Sequence, residues 1–512
     1  MTEISLPSAF MGRKVMAKYV DSLVPEYKGN PLIEALPRFY APQEILGFLT
    51  YYPHITNEMI ASPDPIRRQI IYNFNQFFKP NNHHVELYDS LFMAINSSYI
   101  TRNPLDFEYF KQLKEVENSQ FDLTKDNSRL YKLVSKLPGF TFFGMSGLGK
   151  TISVQKLIIL LPQVIYHSSY KEKEFVFTQI VWMYIETPSD GGVKGFLLSF
   201  FQVIDQILDT NDYGYYTKNG RASVDEMVPH MVTLAGIYGI GAIILDEVHR
   251  LNNAKGDELR RMIETFALLA NQMKVVIIPV GKTTAKKIFG ENLQIVRRFT
   301  GVGDIEWTRM TEEIEWDRFI EALWRLQLLK RPSDLTPELK RLFFTLSQGI
   351  PDFAVKLFLL SQNLAITTSM ETITEDVVFS IYENKLNNAR PLLDAIRNND
   401  KAILDEIDDI PPIDIRFEVA KNIKMLPVDP SENEEPVIKP EQNGQGAELQ
   451  KIESHNSPQA QDPMNSNRSV KIKSYSEGDL RLIPTQAKNN HATIHDTLMQ
   501  NGMIRTADEY WR

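Results

Sequence analysis

The sequence predicts an α/β protein with a buried parallel sheet, a mixed N-terminal region, a helical region after the sheet and a disordered C-terminal tail. Three observations carry this prediction. Four apolar runs alternate with amphipathic stretches within residues 136–300, residues 314–390 place apolar side chains at helical spacing, and residues 427–474 hold no Phe, Tyr or Trp. Strands that are apolar throughout and separated by helices are typical of a parallel sheet covered on both faces.

Each element follows from its own pattern. Residues 1–135 combine aromatic clusters with frequent proline, and no helical period lasts long before about residue 86, so we expect a mixed region there. The predicted strands of the core at 136–312 are 140–144, 176–186, 241–247 and 274–281, with helices near 150–161, 193–208, 223–238 and 255–272. Residues 313–398 form the predicted helical lid, where the apolar positions three or four residues apart are Phe319, Leu323, Leu326 and Leu329.

Composition limits the chemistry of the chain. Its 512 residues have room for two or three domains, and the absence of cysteine excludes disulfides, thiol nucleophiles and Cys-ligated metals. The N-terminus has no secretory h-region and no apolar run is long enough to span a bilayer, so we expect a cytoplasmic protein without a membrane partner.

The net charge of −9 belongs mostly to the C-terminal quarter. Residues 400–418 and 427–470 each carry −5, whereas residues 1–399 carry about −2. We interpret 399–426 as an acidic hinge and 427–474 as a disordered linker. Apolar side chains return in 475–512, which we interpret as a partner-docking tail, the alternative being an unstructured terminus.

A phosphate-binding loop follows the first predicted strand. The sequence Gly144-Met145-Ser146-Gly147-Leu148-Gly149-Lys150-Thr151 is G-x-x-x-x-G-K-T between a strand and a helix, which is the context the motif needs. The glycines let backbone N–H groups surround a phosphate, Lys150 supplies charge to the β- and γ-phosphates, and the Thr151 hydroxyl is a Mg²⁺ ligand. We therefore expect ATP and Mg²⁺ as cofactors.

Two acids end the third apolar run. Asp246 and Glu247 follow four apolar residues, at the strand end where ligands bind in such sheets. Asp246 is suited to hold Mg²⁺, either as a direct ligand or through a hydrogen bond to another ligand. Glu247 is suited to orient an attacking water. An acid pair on a strand separate from the phosphate-binding loop indicates an ATPase.

Three further residues are weaker candidates. Thr283, after the fourth run, could contact the γ-phosphate or equally cap a helix. Arg297 and Arg298 could act as an arginine finger toward the γ-phosphate of a neighbouring subunit, or could be a solvated basic pair. The pair His83 and His84 has no Cys and no suitably spaced His nearby, so we do not assign it to a metal.

At this point the chain resembles AAA+ ATPases of the P-loop class with an inserted central strand, and within them the TnsC family of target-selection regulators of Tn-seven-like transposons. Besides the acid strand and the two arginines, the resemblance is carried by segments 27–37 (YKGNPLIEALP), 101–104 (TRNP), 161–167 (LPQVIYH), 323–329 (LWRLQLL), 346–349 (LSQG) and 355–358 (VKLF). It covers about residues 27–398 and recurs weakly at 479–481.

The resemblance implies a nucleoid-associated protein that forms an ATP-loaded homo-oligomeric ring or filament on double-stranded DNA. Hydrolysis of the ATP would promote its disassembly. It assigns nucleotide binding to Gly144–Thr151, the second-sensor position to Lys356, and adenine-side and target-selector contacts (TnsD- or TniQ-like) to residues 1–135. The tail would bind TnsA- or TnsB-like transposase subunits. Asp352 stands where relatives often place Arg, and Lys282 where a Thr is expected.

For DNA, the resemblance points to the elements after the second strand. The basic residues there are Lys194, Lys218 and Arg221, each of which could also be an ordinary solvated charge. One or two such residues per subunit suffice when oligomerisation repeats them along the phosphates. Two other hypotheses stay open: a general AAA+ remodeller or initiator-loader of another DNA machine, and a non-hydrolysing scaffold.

Overall fold

The computed structural model describes residues 10–107, 109, 139–218, 223–286, 288, 303–398 and 400, all within one compact unit, Met1–Val428. Its strands are β1 (Lys14–Met16), β2 (Phe140–Gly144), β3 (Val164–Tyr170), β4 (Lys173–Ile180), β5 (Trp182–Glu186), β6 (Ala242–Asp246), β7 (Val276–Gly281) and β8 (Gly303–Trp307). The hinge, linker and tail predicted at 399–426, 427–474 and 475–512 lie outside the described residues, except for Asp400.

Helices surround these strands. They are α1 (Pro31–Glu34), α2 (Pro42–Leu49), α3 (Asn57–Ala61), α4 (Asp64–Asn73), α5 (Asn82–Tyr99), α6 (Lys150–Ile158), α7 (Val193–Leu208), α8 (Asp212–Lys218), α9 (Val224–Ile237), α10 (Glu258–Met273), α11 (Ile314–Trp324), α12 (Pro337–Ser347), α13 (Pro351–Thr367), α14 (Glu375–Lys385) and α15 (Arg390–Arg397). Short 3-10 helices occupy Pro25–Tyr27, Phe74–Gln76, Val248–Asn253 and Thr283–Ala285.

The main sheet has five parallel strands in the order β5-β6-β7-β2-β8. Strand β7 therefore lies between β2, which leads into the phosphate-binding loop, and β6, which carries the acid pair. This confirms the predicted parallel α/β sheet with an inserted central strand. Since all five strands run the same way, their carboxyl ends meet along one edge, where a ligand site is expected.

Both faces of the main sheet are buried. Neighbouring residues along a strand point to opposite faces. Phe142 and Ile244 belong to a core that includes α5, α6 and the helices after residue 313, whereas Phe143 and Ile243 belong to a second core with α7, α9 and α10. In β2, β5, β6 and β7 nearly every position is therefore apolar, which is why these strands read as continuous runs in the sequence, whereas β8 (GDIEW) at the edge of the sheet gives no such run.

One predicted strand is two strands. The run at 176–186 divides at Val181: β4 pairs with β3 in a separate three-stranded sheet of order β1-β3-β4, and β5 enters the main sheet. Val181 N–H donates to the Gln163 carbonyl (2.8 Å) and the Val181 carbonyl accepts from Ala242 N–H (3.1 Å). Backbone pairing on both sides of Val181 keeps the chain extended across the division, so the sequence shows no break.

The N-terminal residues are largely helical and close one end of the main sheet. Asn30 Nδ2 donates to the Tyr99 carbonyl (2.8 Å), Tyr99 OH donates to the Gly239 carbonyl (2.9 Å), and Arg102 Nη1 donates to the Ile240 carbonyl (2.8 Å). Two of the segments that carry the family resemblance, 27–37 and 101–104, thus meet each other and the loop before β6. The buried polar side chains at this position thus hold the N-terminal region against the main sheet by hydrogen bonds to backbone carbonyls.

The lid contains helices α11 to α15. Its first helix, α11, ends before the apolar pattern that predicted it. Helix α11 ends at Trp324, and Leu326 and Leu329 lie beyond it, although both are buried. The segment after Trp324 runs along α13 instead, where Leu328 N–H donates to Gln362 Oε1 (2.8 Å). Burial against α13, rather than helical period, explains the spacing of these leucines.

Within the described ranges no helix combines the length and the apolar character that spanning a membrane requires.

Candidate functional site

The phosphate-binding loop joins β2 to α6 at the carboxyl edge of the main sheet. Gly147 and Gly149 have φ angles of +82° and +81°, which glycine adopts at little cost and other residues resist. Lys150 is the first residue of α6, and its Nζ donates to the Met145 carbonyl (2.8 Å), so the side chain folds back over the loop. The loop is thus shaped to present backbone N–H groups and one ammonium group to an anion.

The acid pair meets this loop directly. Thr151 Oγ1 donates a hydrogen bond to Asp246 Oδ2 (2.8 Å), across the strand β7 that separates β2 from β6. Asp246 is buried, and its Oδ1 accepts from the Glu247 N–H (2.8 Å). Two motifs 95 residues apart in the sequence therefore form one oxygen-rich site.

Glu247 has the features of a reactive carboxylate. Its φ of +54° is uncommon for a residue with a side chain and turns the chain sharply after β6. Burial raises the pKa of Glu247, and the neighbouring Asp246 carboxylate raises it further, while Arg250, Lys282 and Lys150 oppose the shift. The His249 Nδ1 lies 3.1 Å from Glu247 Oε2.

A cavity of about 520 Å³ opens at this edge, within the roughly 300–1,000 Å³ usual for small-molecule sites. Part of its lining is the phosphate-binding loop with Asp246, Glu247 and Lys282. The rest mixes aromatic and polar side chains and comes from three parts of the chain: the N-terminal region, the end of β8 and the lid. The aromatic side chains there are Phe77, Phe78, His83, His84, Trp307 and Phe319.

His84 connects the N-terminal region to the phosphate-binding loop. Its Nε2 lies 3.2 Å from Ser153 Oγ, which donates to the Gly149 carbonyl (2.8 Å), and its ring lies 4.8 Å from that of Trp307. Burial lowers the pKa of His84 to about 3, so the ring is neutral. The described residues contain no cluster of three or more potential metal ligands.

The lid touches the loop at the start of α13. Asp352 N–H donates to the Gly147 carbonyl (3.3 Å), and the Asp352 carboxylate forms an ion pair with Lys356 (2.6 Å). Asp352 lines the cavity, and Lys356, the predicted second-sensor residue, lies one helical turn behind it without lining the cavity itself. Arg309, between β8 and the lid, also lines the cavity and donates to the Gln348 carbonyl (3.2 Å).

The remaining predicted residues are placed as follows. Thr283 begins the short 3-10 helix after β7 and does not line the cavity, whereas Lys282 before it does. Lys194 is exposed near the start of α7. Lys218 is the last residue of α8, and its side chain lies outside the description, as do Arg221, Arg297 and Arg298.

Several residues in or next to the site belong to no motif. They are Tyr184, His84, Trp307 and Arg309, and only their positions in the fold bring them to the loop or the acid pair. His83 and His84 are conspicuous in the sequence as a pair, but the pair by itself does not indicate the contact of His84 with Ser153. Strand β8 was not predicted. Had it been, its last residue, Trp307, would have been expected at the level of the phosphate-binding loop.

Comparison with known proteins supports the nucleotide site. Residues 139–294 match the family model described as an AAA domain, and this range includes the phosphate-binding loop and the acid pair. The chain therefore contains an AAA domain, which implies a P-loop ATPase that binds ATP, typically with Mg²⁺. No curated protein matches the chain.

Several solved structures are similar to the chain at low sequence identity. The Aeropyrum pernix ORC1 protein in complex with DNA is 15% identical over 62% of this chain and 81% of that chain, with a TM-score of 0.33. Cdc6p of Pyrobaculum aerophilum is 16% identical over 63% and 86%, with a TM-score of 0.31. A Walker-type ATPase of Pyrococcus abyssi is 12% identical over 63% and 90%, with a TM-score of 0.34.

Proposed function

We propose that the protein is a slow, Mg²⁺-dependent ATPase whose nucleotide state controls its assembly on double-stranded DNA. The observation that carries the ATPase part is the hydrogen bond between Thr151 and Asp246, because it brings the phosphate-binding loop and the acid pair together at a nucleotide-sized cavity. Lys150, Thr151, Asp246 and Glu247 all line that cavity.

The oxygen atoms around Thr151 fit a magnesium ion. Mg²⁺ prefers hydroxyl, carboxylate, phosphate and water oxygens, and Thr151 Oγ1 keeps lone pairs available while its hydrogen points to Asp246. When bound, the ion would neutralise phosphate charge. Thr151 would bind the ion directly, and Asp246 would act through its hydrogen bond to Thr151.

The other residues divide the remaining tasks. The amides of Gly144–Thr151 would bind the phosphates, Lys150 would pair with the β- and γ-phosphates, and Glu247, facing the cavity with a raised pKa, would orient and polarise the attacking water. Thr283 and Lys356 are proposed to sense the γ-phosphate. The aromatic side chains of the cavity lining would receive the base, which is why we assign adenine-side contacts to the N-terminal region.

Assembly would complete the site. Arg297 or Arg298 of one subunit is proposed to reach the γ-phosphate of its neighbour, so that ATP favours a homo-oligomer and hydrolysis releases it. Lys194, Lys218 and Arg221 are proposed to contact DNA phosphates. Such binding would be indifferent to sequence and sensitive to salt.

The DNA machine that this ATPase serves is proposed from the TnsC-like segments: a transposition complex, in which the N-terminal region binds a target selector and the tail binds the transposase. An initiator-loader or remodeller of another DNA machine is the alternative. It uses the same nucleotide residues, and ORC and Cdc6 are the names carried by two of the similar solved structures. Adding the chain to transposase subunits decides between them, because only the first predicts ATP-dependent stimulation of insertion.

The nucleotide-switch proposal is tested by Lys150→Ala. Removing one charge-assisted phosphate contact should weaken ATP binding by about 10- to 100-fold, since hydrogen bonds to charged groups contribute roughly 1.5–3 kcal/mol. ATP-dependent complexes on DNA should disappear with it. Binding of a fluorescent ATP analogue and electron microscopy with DNA measure the two effects.

Lys173→Ala is the matched control. Lys173 is exposed on β4, in the other sheet, so this variant loses the same charge and should keep both properties. Normal DNA-bound oligomers from Lys150→Ala in the presence of ATP would contradict the proposal.

A further inference from the structure

The Asp246 carboxylate has a third hydrogen-bond partner that no motif identifies. Tyr184 OH donates to Asp246 Oδ2, the same oxygen that accepts from Thr151 Oγ1. With Glu247 N–H on Oδ1, both carboxylate oxygens are occupied and the group cannot rotate without losing a bond. A buried carboxylate satisfied in this way has a defined orientation.

The position of Tyr184 follows from the register of the sheet. On the parallel strands β5 and β6, Tyr184 pairs with Ile244 and Glu186 pairs with Asp246. Tyr184 is therefore two residues from the position opposite Asp246, on the same face of the sheet, at a separation that a tyrosine side chain spans. Burial and the Asp246 carboxylate both raise the pKa of Tyr184, so its hydroxyl remains a donor.

Tyr184 stands behind the site and not in it. It is buried, it does not line the nucleotide cavity, and its ring packs 5.4 Å from that of Phe10. It does not reach the cavity itself, and its hydrogen bond to Asp246 links it to the nucleotide site through Asp246 and Thr151. This is the arrangement in which an outer partner orients a group that binds metal.

We infer that Tyr184 is a positioning residue for magnesium, which sets Asp246 so that the Thr151 hydroxyl turns its hydrogen inward and its lone pairs toward the cavity. The inference rests on the proposed Mg²⁺–ATP site. Without the Tyr184 hydroxyl, the Asp246 carboxylate keeps its bonds to Thr151 Oγ1 and Glu247 N–H but loses one of the three that fix its orientation, so it orients the Thr151 hydroxyl less firmly.

The test is Tyr184→Phe, which removes one oxygen and keeps the ring. The affinity for a fluorescent ATP analogue is measured with excess EDTA and with increasing Mg²⁺, without need of turnover. Loss of an outer partner typically costs roughly 10–100-fold in metal affinity, so the gain in affinity on adding Mg²⁺ should fall by about tenfold. Binding in EDTA should stay at the wild-type value.

Tyr99→Phe is the matched control, because Tyr99 is also buried and its hydroxyl donates to the Gly239 and Ile180 carbonyls instead of to Asp246. It should lower the melting temperature and leave the Mg²⁺ effect unchanged. The inference is overturned if Tyr184→Phe keeps the wild-type Mg²⁺ effect, or if it weakens binding equally with and without Mg²⁺, as a merely structural residue would. If the wild-type protein itself shows no Mg²⁺-dependent ATP binding, the proposed function fails instead.

Discussion

At the scale of single residues, Asp352 stands out because it places a carboxylate beside the loop that should receive phosphates. Its N–H already contacts the Gly147 carbonyl, and its carboxylate holds Lys356 in an ion pair with side chains 38% and 12% exposed. A negative charge here opposes nucleotide binding and keeps Lys356 occupied. If Lys356 senses the γ-phosphate as proposed, ATP must compete with Asp352 for this lysine.

Asp352→Asn should consequently bind ATP more tightly. The substitution keeps the shape and removes the charge, and for a partly exposed charge pair worth roughly 0.2–1 kcal/mol the gain is about two- to fivefold. Equilibrium binding of an ATP analogue at low salt measures it. Asp334→Asn, at an exposed position of the lid, is the control and should change nothing; weaker binding by Asp352→Asn would show that the carboxylate aids closure.

The motif residues can be predicted from the sequence, but the residues that hydrogen-bond them cannot. Lys150, Thr151, Asp246 and Glu247 are recognisable because phosphate and carboxylate chemistry restricts both residue type and spacing. Tyr184 is a buried aromatic residue in a strand, like many others, and only strand register gives it a function.

At the scale of secondary-structure elements, α4 is bound to the lid by a buried ion pair. Arg67 has no exposed surface; it donates from Nη1 to Glu371 Oε2 (2.8 Å) and to the Leu328 carbonyl (3.0 Å), and from Nη2 to Glu371 Oε1 and Asp64. An N-terminal helix is thus attached to the segments before α12 and α14. The hydrogen bonds from Arg67 lower the pKa of Glu371 and of Asp64.

Glu371→Ala should destabilise the protein by as much as about 3–5 kcal/mol, because it removes the buried carboxylate that pairs with Arg67 and leaves that buried charge with the partly exposed Asp64. The pKa values of Glu371 and Asp64 are lowered on folding, so their contribution is present above the unfolded values of about 4 and is lost as pH falls below them. The difference between variant and wild type should therefore shrink in acid. Urea unfolding at neutral and acidic pH measures both effects.

Glu321→Ala supplies the comparison. Glu321 is 53% exposed and pairs with Lys340 on the lid surface, so its loss should cost less than about 1 kcal/mol. Equal effects of the two variants would refute the special role of the buried pair.

Elements were predictable where burial is uniform. The helix at 193–208 agrees with α7, and the predicted strands agree with β2, β6 and β7 to within two residues at either end. The division at Val181 and the end of α11 were not predictable from the sequence. In both places the apolar run continues while the chain changes the element that it packs against.

At the scale of the whole molecule, charge and architecture are separated along the chain. The ATP site, both sheets and the lid lie in residues with a net charge near −2, whereas the acidic segments lie beyond residue 399. A negative chain can therefore still bind DNA if Lys194 and its neighbours are repeated by assembly. The proposed tail at 475–512 is separate from this body in sequence.

Deleting residues 475–512 should spare ATP binding and ATP-dependent complexes on DNA, and should abolish recruitment of transposase subunits. The reason is that every nucleotide-site residue proposed above lies before residue 357. Pull-down of transposase subunits on DNA and an insertion assay give the readout. A substitution of serines for the tail's apolar residues is the matched variant, and undiminished insertion after deletion would disprove the docking role.

The sequence by itself determined the parallel α/β fold, the phosphate-binding loop and the acid pair, because these depend on local patterns: apolar runs, glycine spacing and paired carboxylates. The tertiary structure decided which distant groups meet: Thr151 with Asp246, Tyr184 behind Asp246, Asp352 against Gly147, and an aromatic cavity wall shared by the N-terminal region, β8 and the lid. Strand order and register place these side chains within hydrogen-bond distance, and neither is written in the residues next to them.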